Sequence, residues 1–197
     1  VVAWFSLLGI MLGVATLIIV MSVMNGFRAE LLGRILGLNG HLEVSAARGT
    51  LQGYDDLAKK IRAIKGIVNA APVIEGQVLL SANKVSRGAV ARGMMAEDIR
   101  AKPLLFKGIK QGNLEGFDAG SGVLIGSRMA QRFHLRLGDR LTFIAPRGTT
   151  TAFGTMPRMK AYKISGIFEV GMSEYDSSFV FMPLAAAQSF FRLKNGV

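Results

Sequence analysis

From Val1 the chain runs 27 residues before its first ionisable side chain, Arg28, and nearly every position in that run is apolar. The hydrophobic region of a secretory signal is roughly 7–15 residues long, whereas an α-helix needs about 20 apolar residues to cross a hydrocarbon core. The pattern therefore predicts a retained transmembrane helix. Beyond Arg28 the segment becomes amphipathic: Phe27, Leu31 and Ile35 recur at four-residue spacing with charges on other faces, until Gly37 and Leu38-Asn39-Gly40 give a stop signal. About 37 helical residues at 1.5 Å each make a rod of roughly 55 Å, longer than the ~30 Å core, so the excess is expected to form a stalk. Ser6, Gly9, Gly13 and Thr16 share one face, with Gly9 and Gly13 as a GxxxG pair suited to close helix packing in lipid. The same stripe continues as Val20, Met24, Phe27 and Leu31, bulky and deformable.

After the stalk the period shortens. HLEVSA (41–46) alternates as a strand does; Tyr54 to Lys65 reads as a helix with Leu57, Ile61 and Ile64 inward, Asp55 and Asp56 in its first turn and Gly66 past its end. Strands are predicted over Ile67–Val73, Gln77–Leu80 and Val85–Ala91, and 108–122 reads as a connector. A second unit follows: VLIG as strand, SRMAQRFHL as helix with Ser127 as N-cap, LTFIA and Lys160–Val170 as strands. Ser178–Met182 then gives another strand, and Pro183 opens a helix ending near Arg192. Between two of these strands lies PRGTTTAFGTMPRM (146–159), far longer than the two to five residues that link adjacent strands, and it is expected to project.

Charge changes the picture next. The chain has 24 Lys and Arg against 13 Asp and Glu, a net charge of +11, all outside the apolar run. That balance favours anionic partners such as lipid headgroups or acidic protein surfaces. Nucleic acid is not indicated, because the basic residues, among them Lys59, Lys60, Arg62, Lys65, Arg128, Arg132 and Arg136, are scattered without interleaved aromatics. Cysteine is absent, which excludes disulfides, thiol catalysis and Cys-ligated zinc. No GxxxxGK[ST] phosphate loop occurs, the glycines of 120–126 precede their strand instead of following it, and His41 and His134 lack ligand-spaced partners. Glu169, Glu174 and Asp176 are read as solvated carboxylates in a hairpin loop. No catalytic constellation and no metal site is expected. A single membrane-length run at the start of a chain that does not begin with Met suggests a piece of a longer protein.

The run SLLGIMLGVATLIIVMSVMNGFRAELLGRILGLNGHLEV (6–44), above all MSVMNGF and ILGL, strongly resembles the first transmembrane helix and stalk of the lipoprotein-releasing ABC transporter permeases, the LolC/LolE family of Gram-negative bacteria. LRLGDRLTFIAP and YKISGIFEVGMSEYDSSFVFMPLAAAQSFF are similar to the same family. The resemblance implies an α+β fold: a transmembrane helix and stalk (1–40), then a MacB-like periplasmic core. Within that core it implies a porter-like α/β part (41–108) and a sabre-like, β-rich part (109–197) carrying a projecting hook over 146–159. It implies a permease, not an enzyme, in the inner membrane, multi-pass at full length, with its soluble part in the periplasm. No cofactor is expected on this chain, since ATP would be bound and hydrolysed by cytoplasmic ATPase subunits.

Implied partners are a second permease subunit, triacylated lipoproteins, membrane lipids and a periplasmic chaperone of the LolA type. Met24, Phe27 and Leu31 are the implied wall of an acyl-chain cavity. Arg147, Phe153, Met156, Pro157 and Arg158 are the implied chaperone contacts, and Ser6, Gly9, Gly13 and Thr16 a helix-packing seam. The hook departs from the family's usual Pro-Met-Gly-Arg-x-Pro tip: Ala152 to Pro157 keeps the glycine, a bulky apolar residue and the last proline, but neither the first proline nor the arginine. Stretch 166–178 leans toward a permease that serves both LolC and LolE roles. The alternatives are a MacB-type efflux mechanotransmitter and a membrane-anchored interaction domain.

Overall fold

The computed structural model describes residues 2–47, 49–145, 149–151, 154–193 and 196–197. The chain divides into two units, Val1–Glu43 and Val44–Val197.

The first unit is a helix, α1 (Val2–Leu38), of 37 residues, the length the apolar run and its amphipathic continuation predict. It is long and apolar enough to cross a membrane. Thr16 Oγ1 donates to Leu12 O at 2.7 Å, which keeps that hydroxyl from facing hydrocarbon unpaired. Placing an arginine at Ile18 is expected to disfavour membrane insertion by about 2.5–3.5 kcal/mol, read as a smaller inserted fraction in a translocon insertion assay.

The second unit is α+β. Its helices are α2 (Tyr54–Arg62), α3 (Ala96–Arg100), α4 (Pro103–Gly108), α5 (Glu115–Asp118), α6 (Ser127–Phe133), α7 (Ser173–Ser178) and α8 (Leu184–Phe191). Its strands are β1 (Ile74–Ala82), β2 (Val85–Met94), β3 (Ile109–Gly112), β4 (Gly122–Gly126), β5 (Arg140–Ile144), β6 (Thr149–Thr151), β7 (Gly154–Met156), β8 (Met159–Phe168) and β9 (Phe179–Pro183). Seven strands form one sheet in the order β3-β8-β4-β9-β2-β1-β5, and β5 also pairs with β8. Six strands thus close into a hydrogen-bonded ring, β8-β4-β9-β2-β1-β5, in which every strand has a partner on both sides over part of its length. Strands from both sides of residue 108 share this sheet. The pairings β2–β9 and β4–β8 are parallel; β1–β2, β1–β5, β5–β8 and β4–β9 are antiparallel.

Alternation along the strands sorts side chains to two faces. On one, Val78, Leu80, Ala91, Val123, Ile125, Phe143, Ile164, Val180 and Met182 are buried together with Met129, Phe133, Ala187 and Phe190 from α6 and α8. At its centre Phe143, Tyr162 and Phe190 meet edge to face, with centroids 5.0, 6.1 and 6.5 Å apart. On the other face Leu124, Phe168, Phe181 and Met94 are buried, as are Ile99, Leu105 and Phe117 from α3, α4 and α5.

Several expectations are corrected. Residues 41–46 form no strand: no neighbouring strand offers a ladder, and Leu42 and Val44 stay exposed. Residues 67–73 are not a strand either; Pro72 lacks an N–H to pair, Val68 is fully exposed, and the segment is held instead by Arg62 Nη2 donating to Ala70 O at 2.5 Å. The connector over 108–122 contains β3 and α5. Ser127 is the first helical residue of α6 and not its N-cap: Gly126 holds that position, with no side-chain cap. Pro183 likewise caps α8 from outside. Between β1 and β2 the two-residue turn Asn83-Lys84 has φ of 48° and 65°, the left-handed pair that matches the twist of a hairpin.

Candidate functional site

Two regions carry the residues singled out in the sequence. The first is α1. By helical spacing, Ser6, Gly9, Gly13, Thr16, Val20, Met24, Phe27 and Leu31 fall within an arc of about 80°. Their side chains are exposed, Met24 at 59%, Phe27 at 60% and Leu31 at 38%, and a Cβ added to Gly9 or Gly13 would meet nothing. The helix thus offers a stripe that is small over about three turns and bulky over the next three. Water cannot accommodate such a face cheaply, at about 25 cal/mol per Å² of apolar surface, but lipid chains or another helix can.

The second region is the interruption between β5 and β8. Here β6 and β7 pair antiparallel, Thr149 with Met156, Thr150 with Thr155 and Thr151 with Gly154. The β5–β8 ladder ends at the pair Ile144–Met159, and one further hydrogen bond, Ala145 N to Arg158 O at 2.8 Å, lies between it and the two short strands. Pro157 is exposed. Arg158 is half-buried, and its guanidinium donates to the backbone carbonyl of Phe190 at the end of α8. Arg147 and Phe153 lie outside the described residues, as does the side chain of Met156.

The structure also shows charged groups that the sequence pattern did not distinguish. Asp176 is 2% exposed, a correction to its reading as a solvated loop carboxylate: Glu174 and Asp176 lie on α7, β8 and β9 are separated by β4, and Asp176 Oδ1 accepts from Val170 N at 2.9 Å. Arg92, 9% exposed, donates from Nε and Nη2 to Glu75 Oε2 at 2.9 and 2.6 Å and lies 5.1 Å from the Phe179 ring centre. Asp98 is buried in α3, and its Oδ2 has no hydrogen-bond partner among the described residues. Burial pushes its carboxyl above the usual range, opposed by the Arg62 guanidinium and a hydrogen bond from Asn69. Burial, aided by the Arg92 charge, lowers Lys102. Tyr162, whose hydroxyl is buried and unpaired among the described residues, is pushed up to about 12 by burial.

Because the folded protein holds Asp98 more readily protonated than the unfolded chain does (3.8), this group's contribution is most favourable at low pH and is lost as pH rises through the folded value. Asp98→Asn is therefore expected to raise the melting temperature at neutral pH and to reduce the decline in stability above about pH 4. Thermal melts of both proteins across that range check it.

No group of three or more His, Cys, Asp or Glu able to hold a metal occurs among the described residues. What the two regions can do is physical: one exposes an apolar stripe of membrane length, and the other lies across a firmly bonded base between two core strands.

The MacB-like periplasmic core domain model matches residues 3–197. The chain is 31% identical over 193 residues to the "Lipoprotein-releasing system transmembrane protein LolC" of Neisseria meningitidis serogroup B, covering 98% of this chain and 46% of that protein. It is 25% identical over 193 residues to the corresponding LolE of Haemophilus influenzae, again covering 96% of this chain and 46% of the relative. The chain thus spans about half the length of these curated relatives. Among solved structures, the extracellular domain of the noncanonic ABC-type transporter YknZ from Gram-positive bacteria aligns at a TM-score of 0.50 and 12% identity, covering 73% of this chain and 67% of that one. That likeness concerns the fold.

Proposed function

Because the chain belongs to the MacB-like periplasmic core domain family, we propose that it is part of an ABC transporter permease subunit that extracts lipoproteins from the outer leaflet of the inner membrane and hands them to a periplasmic chaperone. The observation that carries this reading is similarity to LolC proteins along 98% of the chain, apolar helix and head together. An exposed acyl chain costs about 0.8 kcal/mol per CH₂ in water, so a triacylated substrate needs a continuous apolar route out of the bilayer. The bulky half of the α1 stripe, Met24, Phe27 and Leu31, supplies a wall for such a route, facing a second permease subunit. The small half, Ser6 to Thr16, is the packing seam.

The hairpin that includes β6 and β7 is the chaperone contact, with Phe153, Met156 and Pro157 as apolar anchors and Arg147 for electrostatic steering. ATP is bound and hydrolysed by cytoplasmic partner subunits, and the head stands in the periplasm. The porter-like part (41–108) and the sabre-like part (109–197) both contribute strands to the seven-stranded sheet.

A photocrosslinker at Met24, Phe27 or Leu31 of the full-length transporter is expected to capture lipoprotein acyl chains, and one at Phe153 the chaperone. A functional transporter in which neither position captures its partner would overturn these assignments.

A further inference from the structure

We propose that Arg158 is a positioning residue: it fastens the base of the hairpin to the end of α8, so that the hairpin moves with the strand ring as one body. The case starts from α8. Its last carbonyls have no partners further along the helix, and it has no basic residue of its own in the last turn. Leu193 N donates to Gln188 O at 3.0 Å after the left-handed Arg192, which satisfies one of those carbonyls. The Phe190 carbonyl is taken by Arg158, from an element 32 residues away. A guanidinium there also meets the negative end of the helix dipole.

The other half of the joint is backbone. Arg158 O accepts from Ala145 N, and the next residue, Met159, begins the ladder with β5. One residue therefore closes the neck of the hairpin with its carbonyl and ties that neck to α8 with its side chain. Both attachments end on the rigid core: Phe190 is 1% exposed and packs edge-on against Phe143 and Tyr162, which sit on the same two strands that lead into the hairpin. A loop whose neck is held at two points this close to a packed aromatic cluster has its direction set by the core. This assigns Arg158 a role different from the chaperone contact expected of it. The handover consequence, presentation of the chaperone in one orientation, rests on the function proposed above; the fastening itself does not.

The test uses spin labels at Thr155→Cys and Arg132→Cys in the full-length protein, with distances measured by pulsed electron resonance. The wild-type background is expected to give a narrow distribution and Arg158→Ala one about twice as wide, at unchanged mean secondary structure. Arg158→Lys, which keeps a cation and a donor, is expected to restore most of the sharpness and the crosslinking yield from Phe153. Arg158→Gln, a milder change, serves if the alanine variant does not fold. A wild-type distribution already broad, or one of equal width in Arg158→Ala or Arg158→Gln, would overturn the fastening. Narrow and broad distributions as expected, with no chaperone captured in any variant, would overturn the handover role and leave the fastening in place.

Discussion

Gly126→Val is expected to prevent stable folding of the 44–197 unit. Gly126 ends β4 with ordinary backbone angles (φ −70°, ψ 150°), so conformational freedom is not what it supplies. A Cβ at this position would be about 2.5 Å from the carbonyl carbon and 2.6 Å from Cα of Asp176, both backbone atoms. The α7 turn cannot retreat to make room, because Asp176 is pinned on two sides, its Oδ1 by Val170 N and its own N by Met172 O, each at 2.9 Å. Overpacking alone typically costs about 1–3 kcal/mol, and a buried carboxylate parted from its donor costs about as much again or more. Together these remove much of the roughly 5–15 kcal/mol that holds a domain folded. Gly88→Ala is the control: it sits on β2 with nothing within 4 Å of an added Cβ. Melting curves of the purified protein are expected to show a lost or strongly lowered transition for Gly126→Val and none of that change for Gly88→Ala.

The second large effect is expected at Phe143. Its ring is fully buried and packs against both Tyr162 and Phe190, so Phe143→Ala opens a cavity where β5, β8 and α8 converge. Truncations of this type cost about 3–5 kcal/mol, and collapse is limited here because the ring of strands is closed on both sides of β5. The loss is not only global. β5 leads directly into the hairpin and Phe190 carries the carbonyl that Arg158 grips, so amide exchange at Ala145 is expected to quicken along with that of β5. Denaturant melts give the first number and residue-resolved hydrogen exchange the second. A variant within 1 kcal/mol of wild type would show that this cluster does not organise the ring.

What could be read in advance follows the range of the interactions involved. The α1 helix was legible because 27 uncharged residues leave few physical options, and β2, β4, β5, β8, β9 and α8 because each carries its own apolar period and stop signal. HLEVSA shows the limit of that signal: alternation describes a surface that could be buried, and whether a partner strand arrives is decided elsewhere. Ring closure was hidden for the same reason, since β2 finds β9 across some ninety residues of chain and no local pattern records that pairing. Asp176 was misread because its burial depends on Gly126, fifty residues earlier, letting two backbones touch.

The candidate sites divide likewise. The stripe on α1 follows from helical geometry alone. Arg158 reads as a partner contact because the resemblance implies a chaperone-binding hook over 146–159; its grip on α8 needs coordinates. Asp98 and Arg92 stand in segments of ordinary polarity, and only packing makes their charges costly or paired.

The proposed role itself is tested most directly by gentle purification of the full-length protein from its native membrane with whatever it holds, followed by mass spectrometry of the intact assembly. Intact triacylated lipoprotein bound to the complex, released when ATP and the periplasmic chaperone are added together, is the result expected. An assembly that carries an outer-membrane channel or a cell-wall hydrolase in place of lipoprotein, and releases nothing on addition of ATP and chaperone, would contradict it.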